Sequence, residues 1–404
     1  MCRLSTIIVT IVFIIIASIA NGCKGNGNNA SLEVKDVIEI PINNPIETSI
    51  NNLIAEYDTI RLEVSSKSLL SDIAQVQIMN DKLYVTESSM SMVFIYTLEG
   101  KYISKICNQG EGPKEYIKIY SFELDPANNR LLLTDTFSKR LFIYDENGNL
   151  QDVISLNFMP ERVVSDQSGR FLHIKASMDY ENNDKKLSKT HIQVLNNKGD
   201  IEFAFLPDES PNHKRFRSIQ AANLTKDGEF QFMPPYSNII YRIHGQQAIP
   251  VYTLTPKNGW DLLSKEDKKE IYFTVEQSNI PKFEEQKKMF FSGSFFDSDS
   301  LLFISSGWKQ HFYTLYSKTQ KAAFTITPEK ISGNKGLKEI FLRCPLALYG
   351  GYFYIDVSFG IMSYALNYLE EGKMKFFLQS INDEEGNPCI IRYKFNQALL
   401  TPGS

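Results

Sequence analysis

DKLYVTESSMSMVFIYTLEGKYISKI, residues 81–106, and NRLLLTDTFSKRLFIYDENGNLQDVI, residues 129–154, align without a gap at a shift of 48. Leu83, Thr86, Phe94, Ile95, Tyr96, Gly100 and Ile106 fall on Leu131, Thr134, Phe142, Ile143, Tyr144, Gly148 and Ile154. Each unit reads as strand, short polar loop, strand, Gly-containing turn, strand. The EG and NG pairs supply the positive-φ residue that a tight hairpin needs.

The unit recurs with decay along the chain. In HIQVLNNKGDIEFAF, Gly199 stands 51 residues after Gly148, and in IIYRIHGQQAIPVY, Gly245 stands 46 residues after Gly199. A fifth copy runs through LLFISS (residues 301–306) and HFYTLYSKTQKAAFTI, and a sixth begins at GGYFYID (residues 350–356). Four short strands per unit at this period predict the blades of a β-propeller. Two charged windows, Lys257 to Phe291 and Ser358 to Leu378, lack the strand pattern and are read as helical insertions. Without them the length accommodates six blades of four antiparallel strands. A ring must close to avoid exposed sheet edges, so YDTIRLEV (residues 57–64) is expected to share a blade with PCIIRYKFN (residues 388–396).

The chain opens with one charge, Arg3, and an apolar run from Ile7 that is too short for the roughly 20 residues of a membrane-spanning helix. IANGC, ending at Cys23, reads as a lipoprotein cleavage site, so residues 1–22 are expected to be a signal peptide. The alternatives are an ordinary secretory peptide and an uncleaved anchor. The polar stretch after Cys23 reads as a flexible tether to residue 56. The propeller is expected over residues 57–396, with a tail at 397–404.

The order and spacing of IRLEVSSKSLLSDIAQVQIMNDKLYV (residues 60–85), GEGPKEY (residues 110–116) and GNPCIIRYKF (residues 386–395) resemble the six-bladed β-propeller lipoproteins of Bacteroidetes. The resemblance spans about Ile60 to Phe395. It implies a cell-envelope protein anchored by lipid to the outer membrane, on its periplasmic or its surface face, and it implies little about activity.

With 43 basic and 47 acidic side chains the chain has a formal charge of −4, which speaks against a nucleic-acid partner, since phosphate binding needs a concentrated basic surface. The three scattered cysteines after Cys23 form neither a disulfide framework nor a zinc site. In CNQGEGPKEYIKI (residues 107–119), no strand leads straight into a long helix and no Lys-Ser/Thr pair follows the glycines, which speaks against a phosphate loop. The stretch instead joins one blade's outer strand to the next blade's inner strand. It serves as a crossover, or as a crossover that also touches ligand through Glu111, Lys114, Glu115 or Tyr116.

The same face is expected to carry three further loops: residues 177–191, the basic cluster His213, Lys214, Arg215 and Arg217, and SSGWKQH with Trp308 and His311. The basic cluster suits a carboxylate or sulfate. An exposed Trp beside polar donors suits a sugar ring or a peptide side chain, unless Trp308 only plugs its blade. Glu87, Asp135 and Asp356 point toward this face. They could hold Ca²⁺, although no loop of closely spaced oxygen ligands is visible and no cofactor is expected.

The favoured function is a binding or scaffolding module for an oligosaccharide, peptide or envelope protein. The alternative is a lactonase-like hydrolase or lyase with a divalent cation in the channel. Short catalytic motifs are absent, and His173, in a strand, and His244, in a turn, leave few histidines to gather.

Overall fold

A computed structural model describes residues 36–89, 91–166, 168–175, 190–207, 222–224, 229–234, 236–271, 280–306, 312–381 and 386–400. The duplicated segments form the first two blades. Blade 1 consists of Gln75–Met79, Lys82–Thr86, Val93–Thr97 and Tyr102–Ile106. Blade 2 consists of Ser121–Asp125, Arg130–Asp135, Arg140–Asp145 and Leu150–Ser155. Within each blade the strands, named a to d from the centre outward, pair antiparallel in sequence order.

Blade 3 comprises Arg162–Ser165, Phe171–Ile174, Thr190–Leu195 and Ile201–Pro207. Blade 4 comprises Ala222–Leu224, Phe230–Phe232, Ile239–His244 and Gln247–Pro256. Blade 5 is built from Phe291–Asp297, Leu301–Ser306, Phe312–Ser317 and Ala322–Ile326. Blade 6 takes strands a to c from Ala347–Tyr349, Tyr352–Val357 and Cys389–Phe395, and strand d from the other end of the chain, Ile54–Arg61. The protein is therefore a six-bladed β-propeller closed by its own termini, with Cys389 opposite Arg61 and Tyr393 opposite Tyr57.

The turn glycines have a second role besides their backbone angle. Gly100 and Gly199, with φ of +84° and +85°, sit against the preceding blade's outer strand. A Cβ on Gly100 would lie 2.1 Å from the Arg61 carbonyl oxygen, and one on Gly199 would lie 2.6 Å from that of Ser155. The repeat keeps glycine at both positions because the neighbouring blade leaves no room for a side chain. The register of strands c and d also slips at matching places, Ile95/Tyr96, Ile143/Tyr144 and Val194/Leu195, a recurrent bulge that increases local twist. Apolar side chains fill the wedges between blades, with Tyr84, Phe94, Tyr96, Phe142 and Tyr144 fully buried.

Two boundaries differ from expectation. Folded structure is already present at Asp36, well before Tyr57. Asp36–Ile40 adds a fifth, parallel strand to the edge of blade 4, with Asp36 opposite Tyr252. The chain then crosses blade 5, where the Ile46 amide donates to the Thr325 carbonyl, and makes a short helix, Ile50–Leu53, before entering blade 6. Residues 36–61 thus strap three consecutive blades, and the segment 36–56 is not a tether. At the other end, Leu400 is buried in the core shared by blades 5 and 6, so the expected tail is partly built in.

Both windows read as insertions contain helices, Lys265–Glu270 and Ile280–Glu285 in the first, Phe359–Leu366 and Lys373–Ile381 in the second. A further helix, Lys335–Phe341, lies in the crossover from blade 5 to blade 6.

Candidate functional site on the loop face of blades 2 and 3

The stretch GEGPKEY folds back on itself and is tied to the strands around it. Gly110 donates to the Tyr116 carbonyl, Tyr116 donates to the Asn108 carbonyl, and Glu115 Oε2 accepts from the Gly112 amide at 2.9 Å. Neither Gly110 nor Gly112 has a left-handed φ. A Cβ would lie 2.0 Å and 3.0 Å, respectively, from Glu115 Oε2, so a side chain at either position would have to displace the end of Glu115. Arg140 of blade 2 donates to the Gly112 and Pro113 carbonyls at 2.9 and 3.1 Å. The stretch is a crossover packed onto the blade it leads into.

Tyr116 is fully buried, its hydroxyl donating to the Ser91 carbonyl at 2.8 Å and its ring edge-on to Phe142. That excludes the ligand contact expected of it, because the phenol closes the core under the loop. Glu111 and Lys114 are exposed.

Asp135, expected to face a ligand, is instead the post on which this surface is mounted. It is fully buried, and its carboxylate accepts from the Ile117 amide (2.7 Å), the Phe137 amide (3.0 Å), the Ser138 amide (3.2 Å) and the Ser138 hydroxyl (2.6 Å). One carboxylate therefore fixes the backbones of two apolar residues from different loops, and both project into solvent: Ile117 is 43% exposed and Phe137 is 62% exposed. Beside them Thr136 donates its hydroxyl to the Pro160 carbonyl, which ties blade 2 to the entrance of blade 3.

That entrance gathers buried ionisable groups. The Lys175 amide donates to the His191 carbonyl, and His191 Nδ1 donates to the Lys175 carbonyl at 3.2 Å, so the two stand opposite each other at the ends of strands b and c. One step further in, His173 lies opposite Gln193. Glu161, Lys175, His191 and His173 are all at least nine-tenths buried. His173 Nε2 accepts from the Glu161 amide at 2.9 Å, which leaves Nδ1 to donate to Gln193 Oε1 at 2.9 Å. Toward the centre, Arg162 holds the buried Glu123 of blade 2 through two contacts, Nε to Oε1 at 2.5 Å and Nη2 to Oε2 at 2.8 Å. Burial is the main influence on Glu123 and pushes its carboxyl up, against the pull of Arg162.

Burial is also what lowers the imidazole of His173, to about 4, with Lys175 adding to the effect against the Gln193 bond. Its ordinary value is 6.5. Between these values the unfolded chain takes up a proton that the folded chain refuses, so stability is lost as pH falls from about 6.5 toward 4. For one group shifted this far the loss between pH 7 and pH 5 is about 2 kcal/mol. Urea unfolding of wild type and His173→Gln at both pH values checks this. The wild-type curve should lose that much more than the variant's, and parallel curves would rule it out.

His213, Arg215, Arg217, Trp308 and His311 lie outside the described residues, as do Lys214 and Cys23. Glu87 accepts from Ser71, Ser89 and Ser91, and Asp356 is paired with Arg343 at 3.1 Å. Asp135, Glu87 and Asp356 are thus taken up by separate partners. Among the described residues no three His, Cys, Asp or Glu side chains converge as a metal site would require.

Sequence reasoning passed over the blade 3 group, although a signal was present. FLHIK and HIQVL each place two polar residues two apart in an otherwise apolar run, which puts His173 with Lys175, and His191 with Gln193, on one face.

Among solved structures, the chain is similar to a Bacteroides fragilis protein described as exported. The TM-score is 0.71 at 15% identity, over 89% of this chain and 100% of that one. It is also similar to a member of the DUF4221 family from Bacteroides vulgatus (TM-score 0.49, 9% identity, 85% and 97% of the two chains). A third likeness is to virginiamycin B lyase from Staphylococcus aureus (TM-score 0.39, 10% identity, 76% and 83%). The first supports the fold, and the other two carry no argument. No curated protein matches the chain. Among the described residues no helix is long and apolar enough to cross a membrane. A family model matches residues 33–394, nearly the whole propeller, and the chain belongs to that family, the domain of unknown function DUF4934.

Proposed function

We propose that the protein is a binding or scaffolding module of the cell envelope, lipid-anchored to the outer membrane through Cys23, which recruits a peptide or protein partner to its loop face. The observation that carries this reading is the pair Ile117 and Phe137. Exposed apolar residues on mobile loops would lose backbone entropy on binding, but the backbones of these two are already held by the Asp135 carboxylate, and such preorganisation favours affinity. An aromatic anchor beside an aliphatic one also suits the centre of a protein contact. The alternative of a hydrolase or lyase has less support, since Asp135, Glu123, His173 and Asp356 bond to partners within the fold.

The test is photo-crosslinking in cells that produce the full chain, with a photoreactive phenylalanine at position 137 and, as control, at the exposed position 287. Position 137 should give a discrete adduct that 287 does not. If neither 137 nor 117 gives one, the loop-face reading fails. Cys23→Ser should leave the chain out of the membrane fraction, and unchanged lipid labelling would remove the anchor from the proposal.

A further inference from the structure

The insertion between strands b and c of blade 6 carries a feature that its packing does not require. Its two helices bury Met362, Ala365, Met374, Leu378 and Ile381, and their connection buries Leu369, in the core between blades 5 and 6. On the outward side stand Tyr364 and Tyr368, each 43% exposed, with ring centroids 5.0 Å apart and planes inclined by 46°. Tyr368 lies just past the helix Phe359–Leu366, so the pair adds at most a few tenths of a kcal/mol to that helix, and charged side chains would serve solubility better.

The pair is also held firmly. The Asn334 side-chain amide donates to the Tyr368 carbonyl at 2.6 Å, while its oxygen caps the helix Lys335–Phe341 at the Gly336 and Leu337 amides. Gly336 lets that helix approach so closely that a Cβ there would lie 2.6 Å from the Ala365 carbonyl oxygen. The same helix brings one charge of each sign to the tyrosines. Lys335 Nζ lies 5.5 Å from the Tyr368 ring centroid, and Glu339, exposed like Lys335, follows it by four residues on the same face of the helix.

We infer that Tyr364 and Tyr368, with Lys335 and Glu339, form a platform for a neutral oligosaccharide. A pyranose ring has an apolar face of C–H groups, which stacks on an aromatic plane, and a rim of hydroxyls that both donate and accept. Tyrosine rings supply that plane with a polar edge. The ammonium of Lys335 and the carboxylate of Glu339 supply a donor and an acceptor for the rim. The charge balance argues against an anionic lipid surface, which would call for a basic face: Lys375 is paired with Glu371 at 2.9 Å, and Glu339 stands beside Lys335 and Lys338 in their helix. This site is separate from the loop pair Ile117 and Phe137 and does not depend on it.

Affinity electrophoresis of the full chain, solubilised in mild detergent, through gels containing mixed-linkage β-glucan, α-mannan, xylan or amylopectin tests the inference. At least one polysaccharide should retard the wild type. Tyr364→Ala with Tyr368→Ala should raise the apparent Kd about tenfold or more at an unchanged melting temperature. The matching pair of Phe substitutions, which keeps the rings, should retain retardation, as should Phe137→Ala. Migration of the wild type unaffected by every polysaccharide, or retardation that survives the double alanine change, overturns the proposal. So does loss of sedimentation with anionic vesicles, in place of polysaccharide retardation, in the double alanine variant.

Discussion

Deleting Cys389–Phe395 will abolish cooperative unfolding of the whole propeller, not merely lower its midpoint. This strand is hydrogen-bonded on one side to Tyr352–Val357 and on the other to Ile54–Arg61, so its loss also detaches the amino-terminal strand and leaves two open sheet edges. Cys389, Ile390, Ile391, Tyr393 and Phe395 are all buried. At about 1.5 to 3 kcal/mol for each large apolar side chain, their burial is comparable to the 5 to 15 kcal/mol that typically separates a folded domain from its unfolded state. Tyr393 and Phe395 also sit among Phe303, Phe341 and Phe353, with ring centroids 5.3 to 6.3 Å apart. Calorimetry should show no sharp transition in the deletion variant, whereas Tyr393→Ala should keep one at a cost of about 3 to 5 kcal/mol. A sharp transition in the deletion variant near the wild-type temperature would mean that the ring is closed by other contacts.

Arg162→Met should be the most damaging single substitution near the candidate site, costing about 3 to 5 kcal/mol, because it leaves the buried Glu123 carboxylate without its counter-ion. Gln77 could compensate only weakly, since its Nε2 is 3.5 Å from Glu123 Oε2. The penalty should shrink as pH falls. Burial already pushes the Glu123 carboxyl up, and without Arg162 a proton becomes its cheapest means of neutralisation. Adding Glu123→Leu should recover most of the loss, since a well-packed apolar pair often matches a buried ion pair. Urea denaturation at pH 7 and pH 5 measures both effects. A cost below about 1 kcal/mol at pH 7 would show that water reaches this pair.

The repeat was legible because it reflects one packing problem solved several times. Leu83 with Leu131, Phe94 with Phe142 and Tyr96 with Tyr144 fill equivalent wedges, and Gly100 and Gly148 occupy equivalent turns between strands c and d. The closing strands were legible for a related reason, since each was apolar and lacked a local partner. Asp36–Ile40 was not legible. It is five residues long with no hairpin of its own, and its register with residues 252–256 is a property of the assembled ring.

At the candidate site, the crossover role of GEGPKEY followed from its place between strands, but the direction of Tyr116 did not. A tyrosine in a polar loop offers the same hydroxyl to a ligand or to a buried carbonyl. Asp135 looked like a free acid because two of the amides that occupy it belong to the apolar residues Ile117, in another loop, and Phe137, and only Ser138 carries a polar side chain. The importance of Ile117 and Phe137 was hidden for the converse reason. Apolar residues in a strand-rich chain are read as core, and only the fold shows which of them are left outside.

The strap formed by residues 36–61 sets the timetable of folding. It is among the first parts of the propeller to be synthesised, yet its partners are residues 252–256 in blade 4, Thr325 in blade 5 and Cys389–Phe395 in blade 6. Local hairpins can form as each blade emerges, but the last pairing closes a loop of more than 300 residues, an entropic cost roughly 4 kcal/mol above that of a tight turn. A nascent chain that already contains five blades therefore still has an unpaired edge at each end. Commitment to the native state comes only when synthesis is nearly complete, and until then the chain depends on whatever shields it from its neighbours.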